Sequence, residues 1–368
     1  MTSMEKYMKM ISLEPYNDRS EMPVFPMMMA TFGAVGDVLQ KDIVSSKDKW
    51  LESIDNTIAK IGKPDVCMAT CPDDTIFAMG LPARIPGREL GDNSLYQFVE
   101  TIYFDDPSEY ERIKEMGWQA WFAQYLMDIQ KPKLTSPAQL GERYALMGKR
   151  VGEVIGYIYS RGMVPCFESA TMPIYDMLSM IRSMAEFTCD MYEDPGPIMD
   201  IIHTGQPIDD ENSIRMMKAN NGKRFGIFAM RSSSTFASPS LFEEYIWPEM
   251  KASILRFHEA GIISVVHADG NWLPMLEYFT QLPKGCCHIE LDGSTDIFKA
   301  YDILQGSQSI RGDVPSTLFA YGTPDEVSEY CEKLINMGMK GGFMLSSGCE
   351  VPLNAKVECV KAMMDSVR

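Results

Sequence analysis

The chain has 368 residues and a formal net charge of −17. With 45% hydrophobic and 23% charged residues, it has the composition of an ordinary globular protein, long enough for one large barrel or two smaller domains. The acidic balance excludes nucleic acid as a partner, because neutralising phosphates needs clustered Lys and Arg, and it disfavours an anionic membrane surface.

The opening stretch MTSMEKYMKMISLEPYNDRS lacks the apolar run of a signal peptide, and PMMMATFGAVG at 26–36 is too short to cross a bilayer. Nine cysteines, an odd number spread over a long chain, do not read as a disulfide framework. The expected location is a reducing cytoplasm. The 30 methionines are expected mostly as flexible core filler. Methionine oxidises readily, so this usage suits anaerobic metabolism.

In chain order, MPVFPMMMA (22–30) and PDVCMA (64–69) read as buried strands. Residues 136–162 carry a helical stripe through Leu140, Tyr144, Met147, Val151, Ile155 and Ile158. VPCFE (164–168) reads as a strand and 174–194 as one helix, broken by Pro195 and Pro197. RFGIFAM (224–230) is a strand, and Ser238-Pro239 opens a helix through Phe257. Strands at 261–267, 285–291, 307–313 and 341–347 then alternate with helices at 272–282, 296–305, from Thr323, and after Pro352. Thr323-Pro324-Asp325-Glu326 is a capping box with proline in its first turn.

Apolar strands alternating with helices imply a parallel sheet covered by helices. Eight strands in one chain of this length predict an α/β fold, a single (β/α)₈ barrel over 1–368 with an N-terminal extension of about 1–20. A doubly wound open sheet is the rival, but neither GxGxxG nor GxxxxGK[ST] occurs.

In a parallel barrel the active site forms at the C-terminal ends of the strands. The polar residues that end these apolar runs are Glu168, Arg231, His267, Asp269, Asn271, Asp292, Arg311, Asp313 and Cys349. The plain alternative for Asp269 and Asn271 is capping of the next helix. A lone His is usually structural and a lone Cys a small buried hydrophobe. At two strand ends of one barrel, however, His267 and Cys349 meet despite their separation in sequence. His, Cys and a carboxylate together suit Zn²⁺. His203, His258 and His288 read as structural or exposed.

At these residues the chain resembles the uroporphyrinogen decarboxylase superfamily, and most closely its corrinoid-dependent methyltransferase branch. The similar stretch runs from about Phe225 to the end through SPSLFEEYIWPEMKASILRFHEAG, VVHADGN, IELDGSTDIFKAYDILQGSQSIRGDVPSTLFAYGTPDEV and GGFMLSSGCEVPLNAKVECVKAM. Upstream, only MPVFPMMMATFGAVGD is loosely similar. The resemblance implies a TIM-like barrel. The decarboxylases carry an arginine-rich N-terminal segment, where this chain has MMMATFGAVGD, and a Gly-His-Gly type turn where it has Ser347-Gly348-Cys349-Glu350. Zinc methyltransferases of the superfamily use a His-x-Cys pair and a later Cys. His267 and Cys349 match the outer positions, and Asp269 stands at the middle one.

The function this implies is transfer of a methyl group from a small methylated donor, with a methyl ether favoured, to the cobalt of a corrinoid held by a corrinoid-binding protein. His267, Asp269 and Cys349 are the expected Zn²⁺ ligands, and Glu168 and Asp269 the expected acids. Arg231, Asn271, Asp292 and Met28 are the expected substrate contacts, Met28 within an apolar N-terminal wall. The alternatives are a methylcorrinoid:thiol methyltransferase, a uroporphyrinogen-type decarboxylase, and a non-catalytic binding barrel.

Overall fold

The computed structural model describes residues 1–368 and contains a ring of parallel strands. They are β1 (Val24–Phe25), β2 (Val66–Cys67), β3 (Val164–Pro165, resuming at Ser169–Thr171), β4 (Arg224–Ala229), β5 (Ile263–Ala268), β6 (Cys287–Leu291), β7 (Ser309–Val314) and β8 (Phe343–Ser347). Parallel pairing runs without interruption from β3 through β8 and on to β1, which lies beside β8 with Val24 opposite Leu345. β2 pairs with the first half of β3, Val66 opposite Val164, and the second half of β3 pairs with β4, Ser169 opposite Phe225. The remaining seam is stitched by Asp65, whose backbone N–H donates to Val24 O at 3.0 Å while its carboxylate accepts from Val24 N at 3.1 Å. This is the expected TIM-like barrel.

The helix Ser3–Ile11 lies under the N-terminal end of the ring. Ser3 Oγ and Lys6 Nζ reach the Asp65 carboxylate at 2.7 and 3.2 Å, fixing the helix to the β1–β2 seam. Tyr7 is buried there, 5.2 Å beneath the Arg224 guanidinium and edge-on to His288.

The capping signals act as the sequence dictates. Thr323 and Glu326 form the full capping box of Pro324–Gly338, and Ser238 accepts from Leu241 N at 3.2 Å. Three segments differ from expectation. Residues 174–194 form two helices, Ile174–Arg182 and Met184–Glu193, because Ser183 takes φ +80° and caps the second helix through Glu186 N. Pro195 and Pro197 do not merely end a helix but open another, Gly196–Ala219, since first-turn residues need no N–H. The helix expected over 272–282 is reduced to two short turns within 273–279.

Two strand differences matter for the site. β1 stops at Phe25, so Met27 to Met29 leave the sheet before the short helix Ala30–Val35. β3 does not end at Glu168 but bends there as it changes partner from β2 to β4.

Candidate functional site

At the C-terminal end of the barrel lies a cavity of about 260 Å³. Seven methionines contribute to its wall, with the aromatic rings of Tyr96, Phe98, Phe167 and Phe228. No Lys or Arg lines it. Tyr96 and Phe98 come from the loop after β2, which lies against the cavity at a short antiparallel pairing of Ala83–Arg84 with Gln97–Phe98.

His267, Asp269 and Cys349 meet on this wall. One ligand atom from each lies within 4.8 Å of the others. The topology explains the meeting. β5 and β8 both end at this face, and the sharp turn after β5 brings Asp269 back beside the ring, with Asp269 Oδ1 3.3 Å from His267 Nε2. Asp292 holds that turn, accepting from Gly270 N at 2.8 Å. Gly270 takes φ +83°, a conformation that favours glycine, and an added Cβ would meet Ser233 Oγ at 2.5 Å.

The other ring nitrogen of His267 is also engaged. Its Nδ1 lies 3.0 Å from Glu290 Oε2, and Glu290 Oε1 lies 2.8 Å from Arg311 Nε. Arg311 is fully buried and donates onward to Ser346 Oγ at 2.8 Å and Ser347 O at 3.1 Å. Strand register puts these groups on the barrel axis, with His267 opposite Glu290 and Glu290 opposite Arg311. Burial alone would raise the Glu290 pKa, but the Arg311 charge and the His267 bond hold it well below the usual carboxylate range. Burial likewise disfavours the imidazolium of His267, yet Asp269, Cys349 and Glu290 outweigh it and raise the His267 pKa well above its ordinary value. The centre thus attracts positive charge, a proton or a metal ion. The donor set of imidazole nitrogen, carboxylate oxygen and thiol sulfur fits Zn²⁺. A carboxylate behind the ligating histidine is the arrangement that fixes its tautomer in metal sites.

Glu168 belongs to the cavity wall, but its carboxylate is committed elsewhere. It accepts from Lys223 N, Arg224 N and Tyr159 Oη at 3.3, 2.7 and 3.1 Å and pairs with the Arg224 guanidinium. Both of its oxygens are thus occupied by donors outside the His267, Asp269 and Cys349 group. Four further residues do not line the cavity. Met28 is fully buried in the core, while its neighbours Met27 and Met29 face the cavity. Arg231 stacks over Phe236 and lies 3.6 Å from Glu100. Asn271 caps the next turn through Leu273 N at 3.1 Å. Asp292 braces the Gly270 turn rather than facing the cavity.

Two cavity residues escaped the strand-end reading. Glu350 is held by Met29 N and Thr31 N at 3.0 and 3.4 Å, tying the Cys349 turn to the methionine wall. Tyr96 sits in a loop whose sequence carries no pattern pointing to the site. Glu290 behind them was legible in principle, as a lone charge inside the apolar strand CHIEL.

Residues 116–368, well over half of the chain, match the family model of uroporphyrinogen decarboxylase (URO-D). Among curated proteins, the methylcobamide:CoM methyltransferase MtbA of Methanosarcina acetivorans is 25% identical over 154 residues, 40% of this chain. The match spans 44% of that relative's length. Among solved structures, a methyltransferase from Methanosarcina mazei shares the fold with a TM-score of 0.71 at 13% identity, over 100% of this chain and 98% of that one. By the extent of the family match, the chain belongs to the uroporphyrinogen decarboxylase (URO-D) family.

Proposed function

We propose that this protein is a methyltransferase that moves a methyl group from a small methylated donor, a methyl ether, to the cobalt of a corrinoid carried by a partner protein. The observation that carries this reading is the convergence of His267, Asp269 and Cys349 on one wall of a cavity lined by methionines and aromatic rings. The likeness to MtbA supports a methyltransferase role and a corrinoid partner.

The cavity selects by charge. Its three carboxylates are already engaged, Asp269 with His267, Glu168 with Arg224, and Glu350 with backbone N–H groups. With no Lys or Arg in the wall, an anion finds no counter-charge there. A neutral apolar donor is the class this wall accepts. A porphyrinogen bearing many carboxylates is not, which argues against decarboxylation of a tetrapyrrole.

His267, Asp269 and Cys349 would hold Zn²⁺, which supplies a Lewis acid for the leaving heteroatom. Glu290 would keep the Nδ1 proton of His267 in place, so that Nε2 presents its lone pair to the site. The methionine and aromatic wall would exclude water and orient the methyl group toward the barrel mouth, where the corrinoid arrives.

The test mixes the protein with reduced corrinoid protein and a panel of methyl ethers, methylamines and methyl thiols, and follows methylcobalamin by its spectrum. Formation from a neutral ether supports the reading. Silence across the panel with decarboxylation of a porphyrinogen overturns it. A second reading, transfer from methylcorrinoid to a thiol, is favoured by the activity named for MtbA. Loss of methylcobalamin on adding a free thiol, with thioether formed, would establish that direction instead.

A further inference from the structure

Tyr96 is only 8% exposed, forms part of the cavity wall, and packs edge-on against Phe98 with centroids 5.8 Å apart. Buried tyrosine hydroxyls normally find a partner. Tyr16 and Tyr301 obey this here, donating to Phe343 O and Gly341 O at 2.7 and 2.6 Å. The Tyr96 hydroxyl has no protein partner, yet it is not among the polar atoms sealed in the interior. The open space that Tyr96 lines is the cavity. Cys349 and Glu350 line the same cavity as Tyr96. The threonine hydroxyls of that wall are not free in the same way, since Thr70 and Thr75 bond each other at 2.7 Å and Thr171 donates to Met172 O at 3.3 Å.

We propose that the Tyr96 hydroxyl donates a hydrogen bond to the heteroatom that leaves the transferred methyl group. The inference rests on the methyltransferase reading and adds a residue that neither the sequence motifs nor the three converging ligand groups supply. In the step, the bond between methyl carbon and donor oxygen breaks and its electron pair stays on oxygen. Cobalt(I) of the corrinoid supplies the pair for the new carbon–cobalt bond. Charge grows on the oxygen as it departs, and a fixed donor aimed there stabilises the transition state more than the ground state. Tyr96 keeps its own proton, because a phenol is a weak acid at neutral pH. The departing oxygen takes its proton from water once the product has left the cavity. A benzene ring fits an apolar space of roughly 150 Å³. The cavity of about 260 Å³ therefore takes methoxybenzenes as probes.

The experiment compares wild type and Tyr96→Phe with cob(I)alamin as acceptor and ring-substituted methoxybenzenes as donors. Tyr96→Phe should lower kcat about 100-fold for unsubstituted methoxybenzene, the loss typical of one removed oxyanion donor. The deficit should shrink to about threefold for 4-nitromethoxybenzene, whose leaving oxygen needs little stabilisation. A deficit that is absent, or equal across the series, overturns the inference. If the wild type transfers from no donor, the methyltransferase reading falls and the inference with it. Binding gives a readout without corrinoid. Phenol should bind about tenfold more weakly to Tyr96→Phe while toluene binds unchanged, and equal phenol affinity overturns the proposal. If Tyr96→Phe does not fold, Tyr96→His is measured in its place. Its ring N–H keeps a donor and should keep the preference for phenol over toluene, and loss of that preference counts against the proposal.

Discussion

His267 Nδ1 and Glu290 Oε2 lie 3.0 Å apart inside the barrel, on neighbouring strands whose register sets the two residues directly opposite. Arg311 completes the line from the next strand, 2.8 Å from the far oxygen of Glu290. A buried carboxylate is costly unless paired, and here it is paired on both sides. The cavity-facing nitrogen of His267 is therefore oriented from below by a chain of charges that solvent does not reach.

The first prediction follows from this line. Glu290→Gln should weaken Zn²⁺ binding about 10–100-fold, the usual effect of losing a carboxylate behind a ligating histidine. Competition with a chromophoric chelator measures it. Arg311→Met leaves Glu290 buried with less compensation and should cost roughly 3–5 kcal/mol of stability, read from urea unfolding. Unchanged metal affinity in Glu290→Gln would show that the contact is structural only.

Each converging residue should matter to metal and turnover together. His267→Ala, Asp269→Ala and Cys349→Ala should each lose bound Zn²⁺ and reduce methyl transfer by about two orders of magnitude, equivalent to about 2.7 kcal/mol of transition-state stabilisation. Elemental analysis of the purified variants is run beside the corrinoid assay. Metal content that does not track activity would remove zinc from the mechanism.

Glu168→Gln tests the opposite expectation. Its carboxylate is held by Arg224 and two backbone N–H groups, so the change should lower the thermal midpoint while the rate per folded molecule stays within about threefold of wild type. A selective loss of kcat with unchanged stability would return Glu168 to acid catalysis.

Methionines 28 and 29 should separate stability from substrate binding. Met28 is fully buried in the core and Met29 lines the cavity. Met28→Ala should cost about 2–5 kcal/mol with little change in KM. Met29→Ala should change KM for the methyl donor with a smaller loss of stability. Equal KM effects in both would contradict the facing of this segment.

A buried acid outside the site gives the pH prediction. Asp176 is fully buried and accepts from Arg231 N at 2.6 Å and Ser232 Oγ at 2.8 Å. Burial, only partly opposed by these bonds, pushes its pKa up to about 7. Because the folded value exceeds the unfolded one, Asp176 lends full stability below its unfolded pKa of about 4 and loses it as pH rises through its folded value. The stability of wild type relative to Asp176→Asn should therefore fall by about 2–4 kcal/mol between pH 4 and pH 8. Urea unfolding of both proteins across that range measures it, and a constant difference would contradict the shift.

Much of the fold was legible in the sequence because its signals are local. Apolar runs alternating with helical stripes gave a parallel sheet, and Thr323 and Ser238 announced their helices by side-chain caps whose chemistry acts within four residues. His267, Asp269 and Cys349 stood out because each follows an apolar strand closely, and a barrel gathers all such ends on one face. Tertiary structure alone decided the rest. Whether Met28 or its neighbours face the cavity depends on where β1 leaves the sheet, and one residue of shift reverses the facing. Glu168 looked like a strand end, but the strand bends and continues at that point, and Arg224, distant in sequence, claims its carboxylate. Glu290 and Arg311 meet only through the register of β6 with β7, and Tyr96 reaches the cavity on an irregular loop. Such pairings are set by long-range packing and strand register, which act between residues that no local pattern in the chain connects.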